Sequence, residues 1–65
     1  MLSLDKQVNL TCIETDRVAK GKVVRIQGNR VDVSLDQGGL LISLYMKKPG
    51  LYVDSQSGLE FVMQS

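Results

Sequence analysis

A strict alternation of apolar and polar residues between residues 30 and 36 limits what this chain can fold into more than any other feature. A period of two is typical of a half-buried β-strand. The preceding segment, KVVRIQ, joins this one through Gly28-Asn29, and a two-residue loop with glycine at positive φ is the favoured connection of a tight hairpin. The sequence therefore predicts a hairpin here, whose alternating apolar residues are Val31, Val33 and Leu35.

The turn also predicts which residues of the two strands face each other. Apolar residues then face apolar ones, and a cation faces an anion. The predicted pairs are Gln27 with Arg30, Ile26 with Val31, Arg25 with Asp32 and Val24 with Val33. A regular strand would turn Lys20 and Lys22 to the same inner face as Val24, so we expect a β-bulge near Gly21 that turns both lysines outward.

Other segments alternate in the same way. The segment VNLTCIE predicts a strand before the hairpin, and residues 40–46 predict one after it. A short helix is a second interpretation of residues 40–47, because apolar residues recur four apart and Lys-Lys-Pro-Gly is typical of a helix end. We favour a strand, because the segment is short and follows Gly38-Gly39 without an N-capping residue.

The last segments predict a second hairpin, in which Gly58 takes a left-handed conformation. Its predicted pairs are Ser55 with Leu59, Val53 with Phe61 and Leu51 with Met63. Six strands with short connections favour an antiparallel meander that closes into a small barrel and so protects its edges. We therefore predict one all-β domain over residues 1–65, with small barrels such as the SH3-like and OB-like ones among the candidate architectures.

Composition argues against an enzyme. The 65 residues include no His and no Trp, and the single Cys has no partner for a disulfide. No catalytic residues, metal site or cofactor are expected, because no base stands ready to activate the serines and no glycine pattern binds a phosphate. The N-terminus does not resemble a signal peptide, and no apolar run could span a membrane. We expect a cytoplasmic protein without a membrane partner.

The charges are unevenly distributed, although the formal net charge is only +1. Five cations fall within fourteen residues that contain no acid, and the second predicted strand is therefore basic. This basic strand is a candidate site for an anion or a partner, since Lys and Arg attract phosphates and carboxylates. The alternative is a solvated face on which Asp32 neutralises Arg25. The five residues are Arg17, Lys20, Lys22, Arg25 and Arg30.

The succession VNLTCIE, GKVVRIQ, RVDVSL, GLLISL and GLEFV resembles the PilZ domain, a bacterial six-stranded β-barrel that usually binds cyclic di-GMP and passes the signal to a partner protein. The nucleotide-binding motifs of that family are missing. Only MLSLDK precedes the first strand, where the family has Arg-x-x-x-Arg, and its Asp-x-Ser-x-x-Gly falls on Arg25, Gln27 and Arg30. The resemblance thus implies a reduced member that does not bind cyclic di-GMP.

Two functions are compatible with these features. The first is a non-enzymatic protein-interaction or regulatory module, with a protein as the main partner. The second is a small nucleic-acid-binding barrel that uses the basic strand, although three aromatic residues offer few surfaces for base stacking. Self-association into a homo-oligomer is compatible with both, because a chain of this length buries only about 60% of its unfolded surface.

Overall fold

The computed structural model describes residues 3–64, which are all-β and contain no helix. Six antiparallel strands follow one another around a closed barrel, and the last pairs with the first. This confirms the predicted six-stranded meander and its closure. The strands are β1 (Gln7–Cys12), β2 (Val18–Gln27), β3 (Arg30–Leu35), β4 (Leu41–Lys48), β5 (Leu51–Asp54) and β6 (Glu60–Gln64).

The connections lie alternately at the two ends of the barrel, because successive strands run in opposite directions. The lower end carries the longer loops, at residues 13–17, 36–40 and 55–59. The upper end carries the N-terminal segment 3–6 and two-residue turns at 28–29 and 49–50. The segment with two interpretations, residues 40–47, contains no helix, and from Leu41 onward it is strand, as expected.

Inward-facing side chains fill the barrel: the buried cluster comes from β1 to β5, and Phe61 and Met63 of β6 pack against it. Val8 and Leu10 of β1 and Leu44 of β4 are almost fully buried, as the alternation in these strands predicts. Burial of such side chains contributes about 1.5–3 kcal/mol each relative to leaving them exposed, so this cluster supplies most of the driving force for folding. The full cluster is Val8, Leu10, Val23, Val31, Val33, Leu44 and Tyr52.

The β2–β3 hairpin has the predicted two-residue loop, and Gly28 adopts a φ of +58°. Three of the four predicted pairs are confirmed. The fourth is wrong, because the bulge lies at Val24 rather than near Gly21, so that Val23 faces Val33. Val23 is fully buried as a result, whereas Val24 is 44% exposed.

The β5–β6 hairpin differs from its predicted register by one residue. Tyr52, not Val53, faces Phe61, and Val53 faces Glu60. Gly58 does take a positive φ, and its amide donates to the Asp54 carbonyl. The Asp54 amide donates to the Leu59 carbonyl, and four residues separate these two. The shift turns Tyr52 into the core.

Candidate binding face on strands β2 to β4

The bulge at Val24 decides where the basic residues of β2 point. Lys20 and Lys22 are two apart and share a face, and the extra residue brings Arg25 to that face as well. All three side chains are exposed on the outer wall, opposite the buried side chain of Val23. They are called the basic row below. The structure thus brings together three of the five cations that the sequence singles out.

Arg30 also points outward, but its guanidinium is held by β3 and β4. Its Nε donates to the Asp32 carboxylate over 3.1 Å, and its Nη2 donates to the Ser43 hydroxyl over 3.2 Å. Arg30 and Asp32 are two apart on one strand and therefore share a face. Arg25 faces Asp32 across the hairpin but does not form the ion pair expected of a neutralised face. Among residues 3–64, none of the three cations of the basic row forms an ion pair.

Asp32 is buried on the outer face, because the side chains around it cover it. A hydrogen bond with the Ser43 side chain is the main cause of a lowered pKa of the Asp32 carboxyl, and Arg30 adds to this effect while burial opposes it. Arg25 contributes through its charge alone, as the smallest of the named causes. Asp32 therefore anchors Arg30 and leaves Arg25 without an ion pair.

We expect wild type to lose stability relative to Asp32→Asn as the pH falls from about 5 to about 3. The folded-state pKa of Asp32 lies below its unfolded value, so the ionised carboxylate stabilises the fold above the unfolded pKa. That contribution is lost as the pH falls through the folded pKa. Urea unfolding midpoints of both proteins across this range measure the effect, and a difference that does not change with pH would contradict it.

Arg17 lies apart from the basic row. It belongs to the loop between β1 and β2 and lines an open groove at the lower end, together with Cys12, Val18 and Phe61. Cys12 is a buried free thiol whose pKa is lowered chiefly by a hydrogen bond with the Thr15 side chain, against the effect of burial. As the sequence indicates, Cys12 lies on the inner face of its strand.

Residues of β3 and β4 extend the outer face beyond the basic row. Lys22 faces Ser34, and Ser34 in turn faces Leu41, whose side chain is 57% exposed. Two rows farther along the same face, beyond Asp32 and Ser43, Arg30 faces the exposed Tyr45. The pattern of a single strand does not show that Leu41 and Tyr45 share this face with the cations, because that depends on the registers between strands.

This face combines exposed positive charge with an exposed leucine and an exposed tyrosine. Within residues 3–64, no group of three or more His, Cys, Asp or Glu could hold a metal ion. The same residues contain no helix that is long and apolar enough to cross a membrane.

No protein-family model matches the chain, and no curated protein or solved structure matches it either.

Proposed function

We propose that this chain is a non-enzymatic binding module that recognises an acidic partner protein through the outer wall of β2 to β4. The observation that carries the proposal is the basic row, in which Lys20, Lys22 and Arg25 share one exposed face without an ion pair among residues 3–64. Unpaired cations attract an acidic surface and speed its association.

An apolar neighbour favours a protein partner over a nucleic acid. Leu41 lies in line with Lys22 across the sheet, with only Ser34 between them. Protein interfaces combine an apolar centre with a polar and charged rim, whereas a phosphate backbone gains little from an exposed leucine. The best-fitting partner segment is therefore acidic and carries at least one apolar side chain.

We further propose a regulatory role in a bacterial cytoplasm. The chain would be a reduced relative of the PilZ domain that has lost the ability to bind cyclic di-GMP. The strand succession quoted above supports the relationship. The loss is supported by Arg25, Gln27 and Arg30, which occupy the motif positions where that family has Asp, Ser and Gly. A free thiol at Cys12 suits a reducing compartment.

A nucleic-acid-binding barrel is the second candidate, and Tyr45 is the observation that favours it. Its ring is 45% exposed and lies opposite Arg30, so that a base could stack on it beside a cation. Only one such aromatic residue lies on this face, because Tyr52 is in the core and Phe61 is on the inner face at the lower end.

Titrations of the isotopically labelled protein, followed by NMR, test these proposals with three probes: a short peptide of alternating Asp and Leu, the same peptide with Ser for Leu, and a short oligothymidine. We expect the Asp-Leu peptide to bind most tightly and to shift amide signals along β2 and β4. Lys22→Glu should weaken it by about tenfold, the loss of roughly 1.4 kcal/mol that one such charge contact provides.

Two further variants make the result decisive. Leu41→Ser should remove the preference for the Asp-Leu peptide over the Asp-Ser peptide while leaving the charge attraction intact. Tyr45→Ala should have little effect on either peptide. Tightest binding to oligothymidine, lost in Tyr45→Ala, would instead favour the nucleic-acid function, and equal binding of both peptides would remove the apolar contact from the proposal.

A further inference from the structure

The two ends of the barrel carry opposite charge, although the chain as a whole is nearly neutral. At the lower end, the loops and the residue before the last of them contain four acids and one cation, a net −3. The segments around the upper turns and the N-terminal segment 3–6 contain four cations and one acid, a net +3. The lower charges are Glu14, Asp16, Arg17, Asp36 and Asp54; the upper ones are Asp5, Lys6, Arg30, Lys47 and Lys48.

Part of the upper charge is already paired along the wall. Lys47 contacts Glu60 at 2.7 Å, and Arg30 contacts Asp32. Lys6 and Lys48 form no ion pair within residues 3–64, and neither do the acids of the lower end. The unpaired charge of the upper end, from Lys6, Lys48 and Asp5, is therefore a net +1, against a net −3 at the lower end.

Each end also exposes apolar side chains. At the upper end Ile26 and Met46 occupy inward-facing rows, opposite the buried residues Val31 and Tyr52, but lie beyond the packed core and are 40% and 39% exposed. The lower end exposes Ile13, Val18 and Leu40.

The lower end is also concave. Its groove has apolar walls contributed by Val18, Ala19, Leu59 and Phe61. A groove of this kind accepts apolar side chains from another surface, and the upper end offers Ile26 and Met46 for that purpose. The two ends thus offer apolar surfaces that can pack together. Arg17 lines the groove itself, and the acids lie in and beside the loops of the lower end.

We propose that the barrels associate head to tail, with the upper end of one copy seated on the lower end of the next. A symmetric pairing of like ends would bring like charges together, so the complementary pairing is the favourable one. A heterologous contact of this type continues into open chains or closes into a ring. The basic row on β2 stays on the outer wall, so this proposal stands independently of the proposed function.

An assembly of this kind would align several basic rows and allow them to engage one partner with several acidic segments. Linked sites bind far more tightly than single ones when the geometry permits simultaneous contact. The stack thus adds avidity to a binding face that is small in each copy.

Sedimentation equilibrium of the full chain tests the proposal with two charge variants. The first, Lys6→Glu with Lys48→Glu, reverses the net charge of the upper end. The second, Glu14→Lys with Asp16→Asn, removes the net negative charge of the lower end and keeps at residue 16 a side chain that tolerates its φ of +58°. A matched control, Lys20→Glu with Lys22→Glu, makes the same change of net charge as the first variant on the barrel wall.

For wild type we expect the average mass to rise with concentration past that of a dimer, and to fall when salt shortens the Debye length from about 10 Å at 0.1 M to about 3 Å at 1 M. Each end variant alone should associate at least about tenfold more weakly. Mixed in equal amounts, the two should form a dimer that grows no further, because only one complementary pair of ends remains. The wall control should associate like wild type.

Three results would overturn the proposal: a wild-type monomer at every concentration up to about 1 mM, the weakest range in which specific contacts are measured; a mass that stops at the dimer, which indicates a symmetric contact; or an equal mixture of the end variants that stays monomeric. Vesicles of phosphatidylcholine with phosphatidylserine form a separate arm. Capture of wild type but not the upper-end variant, without self-association, would assign the upper end to an anionic membrane surface instead.

Discussion

Leu44→Ala is expected to destabilise the barrel by about 2–5 kcal/mol, the range for truncating a buried leucine. The Leu44 side chain is fully buried and faces Val31 across the β3–β4 ladder. A domain of this length has a total stability of only about 3–10 kcal/mol, so the loss would unfold a large fraction of the molecules. Urea denaturation followed by circular dichroism measures both quantities.

Leu41→Ala is the matched control, since it makes the same change on the same strand. The Leu41 side chain is 57% exposed and points to the opposite face. We expect a change within about 0.5 kcal/mol, as for most surface substitutions. Similar losses for both variants would contradict the inner and outer assignments of β4.

Local patterns were sufficient to predict the β2–β3 hairpin. The Gly28-Asn29 turn and the alternation in residues 30–36 together determine the pairs of Arg25 with Asp32 and Ile26 with Val31. Both signals come from residues close in sequence. Closure of the barrel followed from the number of strands and their short connections, which leave few ways of covering two sheet edges.

The bulge and the last hairpin could not be predicted in the same way. The bulge lies at Val24, directly after another valine. The sequence pattern therefore does not show which of Val23 and Val24 faces the core. In β5, the residues Leu51, Tyr52 and Val53 are all apolar, so either register buries apolar surface. The structure selects the register that places Tyr52 in the core.

In the candidate site, too, features within one strand could be predicted from the sequence, whereas contacts between strands could not. Clustering of the cations on one strand is visible in the sequence, but the partner of Asp32 is not. Arg25 lies directly across from Asp32 in the ladder, whereas Arg30 on the same strand makes the ion pair. Ser43, which comes from the next strand, accepts a hydrogen bond from Arg30 and is the main cause of the lowered pKa of Asp32.

Gly21→Ala is the second substitution with a large expected effect. Gly21 is buried, and it faces Val8 on β1 and Leu35 on β3. A Cβ placed there would lie 2.6 Å from the Ser34 carbonyl oxygen and 2.8 Å from Cγ1 of Val33. Because the nearest atom belongs to the backbone, the two strands must separate, and we expect a loss of about 1–3 kcal/mol, as for other overpacked interiors.

Lys22→Ala is the control for this prediction, because the next residue of the same strand points outward and has an exposed side chain. Its unfolding free energy should change by less than about 0.5 kcal/mol. In a double-mutant cycle, Val33→Ala should relieve only part of the overpacking caused by Gly21→Ala, because it removes the side-chain contact but not the one with the Ser34 backbone. Wild-type stability for Gly21→Ala would mean that β2 and β3 lie farther apart at this point, and that glycine is not required for their close approach.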